Sequence, residues 1–150
     1  MPSNPLVTSL SFASAQEAET AFYDAFMRAD LEAMMEVWAT TSDVVCIHPL
    51  GAVLYGTDEV REGFRQMFVD APQMRFKIQH NETIDGDDLV IHILYEYIRI
   101  VGDQVDQLPL VVTNAYRQTP TGWRMVLHHA SPSQQHAEAA IEPGMSRRVH

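Results

Sequence analysis

Among the 150 residues of this chain, His48 has the type and position best suited to proton transfer. It ends a short β-branched run and is followed by Pro49 and Gly51, so we expect it at a strand end beside a turn. A free imidazole has a pKa of about 6.5, which suits an acid or base near neutral pH. His48 is therefore a candidate catalytic base; the alternatives are contact with a ligand or a hydrogen bond to the backbone.

Asn114 is a second candidate because it interrupts an apolar row. In a strand it would share a face with Val112 and Tyr116, where an unpaired amide costs about 1–3 kcal/mol. We expect it either to donate to a developing oxyanion or to make a structural hydrogen bond. Trp38, Tyr97 and Tyr116 combine apolar bodies with polar tips, so they are candidate pocket residues, with core or interface positions as the alternative.

Metal binding is not indicated by the spacing of the histidines. The chain has seven histidines and one cysteine, without a Cys pair or a His-x-x-x-His helix motif. His128 and His129 are adjacent in a predicted strand and should point to opposite faces. The sequence thus predicts no metal and no cofactor.

The spacing of apolar residues, which predicts the helices and strands that position these side chains, changes along the chain. Apolar residues recur at helical spacing in three segments before residue 72, and then alternate in four strands from Met74 to Ser131. One short strand, Val44 to His48, lies between the second and third helices, and 49–56 reads as a turn. We predict an α+β domain in which three N-terminal helices pack on a strongly curved antiparallel sheet, giving a cone with a pocket.

The domain is expected to span residues 14–132, between an N-terminal arm at 1–13 and a C-terminal tail at 133–150. The strand from Leu89 to Ile100 is apolar on both faces, while helices can cover only one of them. A second copy would cover the other face, so we predict a homodimer through the sheet.

The composition of the chain excludes several classes of binding partner. The formal net charge of −10 argues against nucleic acid and anionic membranes, both of which require clustered basic residues. No run of apolar residues approaches the length of a membrane span, and no signal peptide is evident, so cytoplasm is the expected location. A small apolar or carbonyl-containing molecule is the expected ligand.

Four strings resemble the SnoaL-like branch of the nuclear-transport-factor-2-like superfamily, whose fold is a cystatin-like α+β cone. They are FYDAFMRADL at 22–31, VCIHPLG at 45–51, GTDEVREGF at 56–64 and GWRMVLHHAS at 122–131. Members include ketosteroid isomerases, polyketide cyclases, dehydratases, epoxide hydrolases and binding or assembly domains. The resemblance therefore implies the fold, but it leaves open whether the chain is an enzyme.

The resemblance also assigns positions. His48 matches the general-base aspartate of the ketosteroid isomerases, Asn114 their oxyanion-binding aspartic acid and Phe22 their oxyanion tyrosine. The family pattern keeps a His and a Ser at His129 and Ser131, so we place these on the pocket face; the alternative for His129 is a buried histidine that hydrogen-bonds a neighbouring strand. The implied function is a pocket protein, either an isomerase, cyclase or dehydratase with catalytic residues His48, Asn114 and His129, or a non-catalytic binding or dimerisation domain.

Overall fold

The computed structural model describes residues 11–103 and 109–133. Helix α1 begins after Ser14, the N-cap residue, whose hydroxyl accepts a hydrogen bond from the Glu17 N–H at 3.1 Å. Helix α2 is capped by Asp30 in the same way, through the Ala33 N–H. The three helices are α1, Ala15–Arg28, α2, Leu31–Val37, and α3, Gly56–Asp70.

The helices pack on one curved sheet of six strands in the spatial order β2-β1-β6-β5-β4-β3. The strands are β1, Val45–Ile47, β2, Val53–Tyr55, β3, Met74–Asp85, β4, Leu89–Ile100, β5, Leu110–Thr119, and β6, Gly122–Pro132. The predicted α+β cone is confirmed.

Two details of the predicted sheet are wrong. Strand β2 lies in the segment predicted as a turn, where it pairs antiparallel with β1. Strand β1 pairs parallel with β6, so the sheet is not fully antiparallel. Three residues are too few to show the period-2 pattern, and the direction of a distant pairing is decided by the path of the chain.

Two β-bulges interrupt the ladders on either side of the concave face. In β3 the register shifts between His80 and Glu82, so one extra residue faces β4. In β6, Val126 is the extra residue, because Ala115 pairs with Leu127 while Tyr116 pairs with Met125. Each bulge bends its strand and reverses which face the following residues occupy.

The hydrophobic core lies between the concave face and helix α1. Phe22 and Phe26 of α1 meet Phe64 of α3 in edge-to-face ring contacts, with centroids 5.5–6.2 Å apart. Leu94, Val112 and Ala130 form a separate buried cluster on the sheet. Helix α1 is therefore anchored in one orientation over the middle strands.

The ends of the domain are described only in part. Phe12, within the predicted arm, is buried, and its carbonyl accepts the Trp123 N–H at 2.9 Å. Residues 1–10 and 134–150, which make up the rest of the arm and the tail, lie outside the described residues. None of the helices in 11–103 and 109–133 combines the length and apolar character needed to cross a bilayer.

Gly122 is tightly constrained in the turn before β6. It has φ of +106°, and an added Cβ would lie 2.8 Å from the Phe12 carbonyl oxygen. Gly102 has a similar φ of +96° with open space around it. We expect both Gly→Ala variants to lose about 1–2 kcal/mol to backbone strain, and Gly122→Ala to lose about 1–3 kcal/mol more to the clash. Urea unfolding measures both, and equal losses would contradict the packing of Phe12 on this turn.

Candidate functional site

The centre of the concave face is Glu19 of α1, a carboxylate whose side chain is 2% exposed. Donors from three strands surround it. His80 Nε2 lies 2.5 Å from Oε1, whereas three groups reach Oε2, namely His92 Nδ1 at 3.0 Å, Asn114 Nδ2 at 3.2 Å and Tyr116 Oη at 2.7 Å. An ionised carboxylate can only accept hydrogen bonds, so each of these groups donates.

Asn114 connects Glu19 to a second buried carboxyl group. Its Nδ2 also donates to Tyr23 Oη at 3.1 Å, and Tyr23 in turn donates to Glu96 Oε2 at 2.6 Å. Its Oδ1 accepts from His128 Nδ1 at 2.7 Å. With both amide hydrogens and its carbonyl engaged, Asn114 fits the structural alternative raised from the sequence better than the oxyanion donor.

The two carboxyl groups have opposite pKa shifts. Burial raises the pKa of Glu19, but hydrogen bonds from His92, Tyr116 and His80 outweigh this and lower it to about 2. Burial raises the pKa of Glu96 to about 7, and the Tyr23 hydrogen bond offsets only part of the rise. Near neutral pH, Glu19 is therefore ionised, while Glu96 can both hold and release a proton.

His48 and His128 are close neighbours in an apolar part of the site. Their ring centroids are 5.9 Å apart, and His48 also meets the rings of Phe64 at 5.1 Å and Phe26 at 6.5 Å. Burial lowers the pKa of His48 to about 4 and that of His128 to about 3. Both are neutral at pH 7, and His48 Nε2 lies 3.5 Å from Cys46 Sγ.

The prediction that His129 faces the pocket is wrong. It is exposed on the outer face opposite Thr113, and His128 takes the inner position opposite Asn114. The bulge at Val126 explains the error, because an uninterrupted alternation counted from Trp123 assigns the wrong histidine to the concave face.

The five predicted pocket residues lie in four different places. Phe22 and Tyr116 are fully buried in the central cluster, where Phe22 packs on the His128 ring at 4.9 Å. Ser131 lies on the outer face opposite Val111, so its predicted place on the pocket face is wrong for the same reason as that of His129. Trp38 lines a separate concavity of about 450 Å³, and Tyr97 lines another of about 970 Å³ near the ends of β3 and β4. A ligand-contacting role for any of the five stays a prediction.

Several residues of the site were missed from the sequence. Glu19 and Tyr23 are four residues apart, on the face of α1 that carries the apolar stripe, and Glu96 follows His92 and Leu94 on the buried face of β4. Charged residues on otherwise apolar faces were the available signal. Donor atoms of Glu19, His80 and His92 all lie within 4.8 Å of one another, a spacing that suits metal ligands.

A family model described as the SnoaL-like domain matches residues 16–135, which is most of the chain. This chain belongs to the SnoaL-like family. The matched range includes every residue of the buried site described above.

Solved structures place the SnoaL-like domain in the NTF2-like, cystatin-like fold. A proposed calcium/calmodulin-dependent protein kinase type II association domain from Thiobacillus denitrificans is 42% identical with a TM-score of 0.80, covering 83% of this chain and 99% of that chain. A proposed dehydratase of the NTF2-like family from Streptomyces avermitilis is 32% identical with a TM-score of 0.70, covering 77% and 91%.

A curated relative is larger than this chain. The F-box protein SKIP8 of Arabidopsis thaliana is 26% identical over 112 residues, which amount to 75% of this chain and 46% of that protein. The SnoaL-like domain thus spans about half the length of this relative.

The raised pKa of Glu96 predicts a distinctive pH dependence of stability. Between its ordinary value of 4.5 and about 7, the unfolded state ionises while the folded state keeps the proton, so wild-type stability falls as pH rises. Glu96→Gln removes this ionisation and keeps a hydrogen-bond acceptor for Tyr23. We expect the stability of Glu96→Gln relative to wild type to increase by about 3 kcal/mol between pH 4.5 and 7.5, measured by urea unfolding.

Glu82→Gln is the matched control, because Glu82 is an exposed glutamate on the neighbouring strand β3. Its stability difference from wild type should stay constant over the same pH range. A constant difference for Glu96→Gln as well would show that Glu96 titrates normally in the folded protein.

Proposed function

We propose that this SnoaL-like domain is an acid–base enzyme of the isomerase or dehydratase class, in which Glu96 transfers the proton. The observation that carries the proposal is the buried Tyr23–Glu96 hydrogen bond of 2.6 Å, beside a cluster of aromatic rings. Its substrate would be a small, mainly apolar molecule with a carbonyl or hydroxyl group.

The surroundings of Glu96 support this role. Phe76 contacts the Tyr23 ring at 5.5 Å and the Phe26 ring at 4.7 Å, and Phe26 continues the aromatic lining to His48. Apolar walls with a few fixed polar groups are typical of small-molecule sites. A general acid–base group works best with a pKa near the working pH, which Glu96 has and His48 does not.

His48 has a different part in this proposal from the one predicted from the sequence. A histidine with a pKa of about 4 is neutral at pH 7, so it can accept or donate a hydrogen bond to the substrate but holds a proton poorly. We assign it to orienting the substrate oxygen. The relative of Streptomyces avermitilis, named as a proposed dehydratase, supports the same class of reaction.

The reaction can be tested without the natural substrate. An acid–base group that removes a proton beside a carbonyl exchanges that proton for deuterium in D2O, so we would incubate the protein with a panel of small cyclic ketones and follow the α-proton signals by NMR. We expect faster exchange than in buffer, a loss of about 100-fold or more in Glu96→Gln, and an unchanged rate in Glu82→Gln.

Two results would count against the enzyme. Exchange that is equally fast in Glu96→Gln would remove Glu96 from the reaction. Ketones that shift the His48 ring signals without any exchange would favour the alternative raised from the sequence, a binding module that holds its ligand unchanged.

Assembly is a second candidate function, supported by the outer face of the sheet. Ile91, Ile93, Val111 and Leu127 remain partly exposed there, opposite the face that the helices cover. The Thiobacillus denitrificans relative is named as a proposed association domain. We therefore retain the homodimer through the sheet as a proposal, together with a cytoplasmic location.

Ile93→Glu tests the dimer, because it places a charge in the middle of this outer face. We expect the wild type to sediment as a dimer and Ile93→Glu as a monomer. Leu50→Glu is the control, since Leu50 is 97% exposed on the β1–β2 loop, and it should remain a dimer. A wild type that is monomeric across a wide concentration range would exclude this assembly.

A further inference from the structure

Glu19, His80 and His92 form a group of side chains that the proposed acid–base reaction at Glu96 does not use. They come from α1, β3 and β4, and Glu19 Oε1 faces His80 while Oε2 faces His92. Glu96 lies outside this group, because among the described residues it is linked to Glu19 through Tyr23 and Asn114 rather than by a direct hydrogen bond.

We propose that Glu19, His80 and His92 bind a divalent transition-metal ion of the Zn²⁺ type. Their donor atoms all lie within 4.8 Å of one another. Ligands at about 2.0–2.2 Å from one ion are separated by roughly 3–4 Å, so small side-chain rotations suffice to bring the three into one coordination sphere.

The donor set selects the class of ion. Two imidazole nitrogens and one carboxylate oxygen suit Zn²⁺ and other first-row transition metals, whereas Mg²⁺ and Ca²⁺ prefer oxygen ligands. Three protein ligands leave coordination positions open, as in catalytic rather than structural zinc sites. On binding, the hydrogens now donated by His80 Nε2 and His92 Nδ1 move to the other ring nitrogens or to solvent.

The surroundings hold the ligands in place and leave a route for the ion. Tyr116 and Asn114 donate to Glu19 Oε2, and such hydrogen bonds hold a metal-binding carboxylate in its orientation. The β-bulge after His80 lies next to the group, and the His80 side chain is 39% exposed. An ion can therefore reach the group from the side of His80, while Glu19 and His92 are buried.

Sequence spacing gave no indication of this group, and the sequence predicted no metal. The two histidines are separated by twelve residues on paired strands, and Glu19 lies 61 residues before His80. Metal motifs recognised from spacing place most of their ligands on one helix or in one short loop, and neither holds for these three residues. Here the contact of α1 with the sheet brings the ligands together.

The test titrates the full chain with Co²⁺, whose visible absorption reports coordination by nitrogen, followed by competition with Zn²⁺. We expect one Co²⁺ per chain, displaced by Zn²⁺, and shifts of the His80 and His92 ring signals in NMR with Zn²⁺. His80→Gln should weaken binding by about 100-fold or more, because even changes to residues that only hydrogen-bond the metal ligands cost about 10–100-fold.

His129→Gln is the matched control, since His129 is an exposed histidine on the opposite face of the same sheet. It should bind Co²⁺ as the wild type does. His80→Gln changes a part-exposed side chain, so we expect the variant to fold, and near-UV circular dichroism checks this. The NMR shifts that Zn²⁺ causes in the His80 and His92 ring signals of the wild type test the site without any substitution. Equal Co²⁺ affinity in His80→Gln and wild type, or wild-type ring signals of His80 and His92 that Zn²⁺ leaves unchanged, would overturn the proposal.

Discussion

The buried charge of Glu19 is the constraint on which the rest of the concave face depends. A carboxylate withdrawn from water is costly unless its oxygens are fully hydrogen-bonded, and here four donors from β3, β4 and β5 supply these bonds. Satisfying one side chain of α1 therefore fixes the helix over the sheet and determines the orientation of His92, Asn114 and Tyr116.

The same arrangement gives the carboxyl groups of Glu19 and Glu96 different pKa values. The donors around Glu19 keep it ionised, and its charge contributes to the raised pKa of Glu96, whose main cause is burial. Tyr23 and Asn114 connect the two groups through hydrogen bonds of 2.6 and 3.1 Å. A change at one carboxyl group should thus affect the other, as expected of a continuous buried polar network.

Two relatives with this fold are named as a proposed dehydratase and as a proposed association domain, so the fold alone does not define the chemistry of this chain. What distinguishes this chain is its set of polar residues on the concave face. Glu19 is ionised while Glu96 can hold a proton, and His48 and His128 are neutral. Glu19 also lies with His80 and His92 at the spacing of metal ligands. The inner face can therefore serve chemistry while the outer, partly exposed face remains available for assembly.

The sequence by itself determined the helices, the four long strands and the α+β cone, because periodicity and caps act locally and the hydrophobic pattern fixes which faces are buried. It also singled out His48, Asn114, Phe22 and Tyr116, which the structure places in the central cluster. Only the tertiary structure decided between His128 and His129, because a single bulged residue reverses the faces of β6. Likewise, the protonation states of Glu19 and Glu96 were decided only when helix and sheet met, since a pKa depends on burial and on partners far away in the chain.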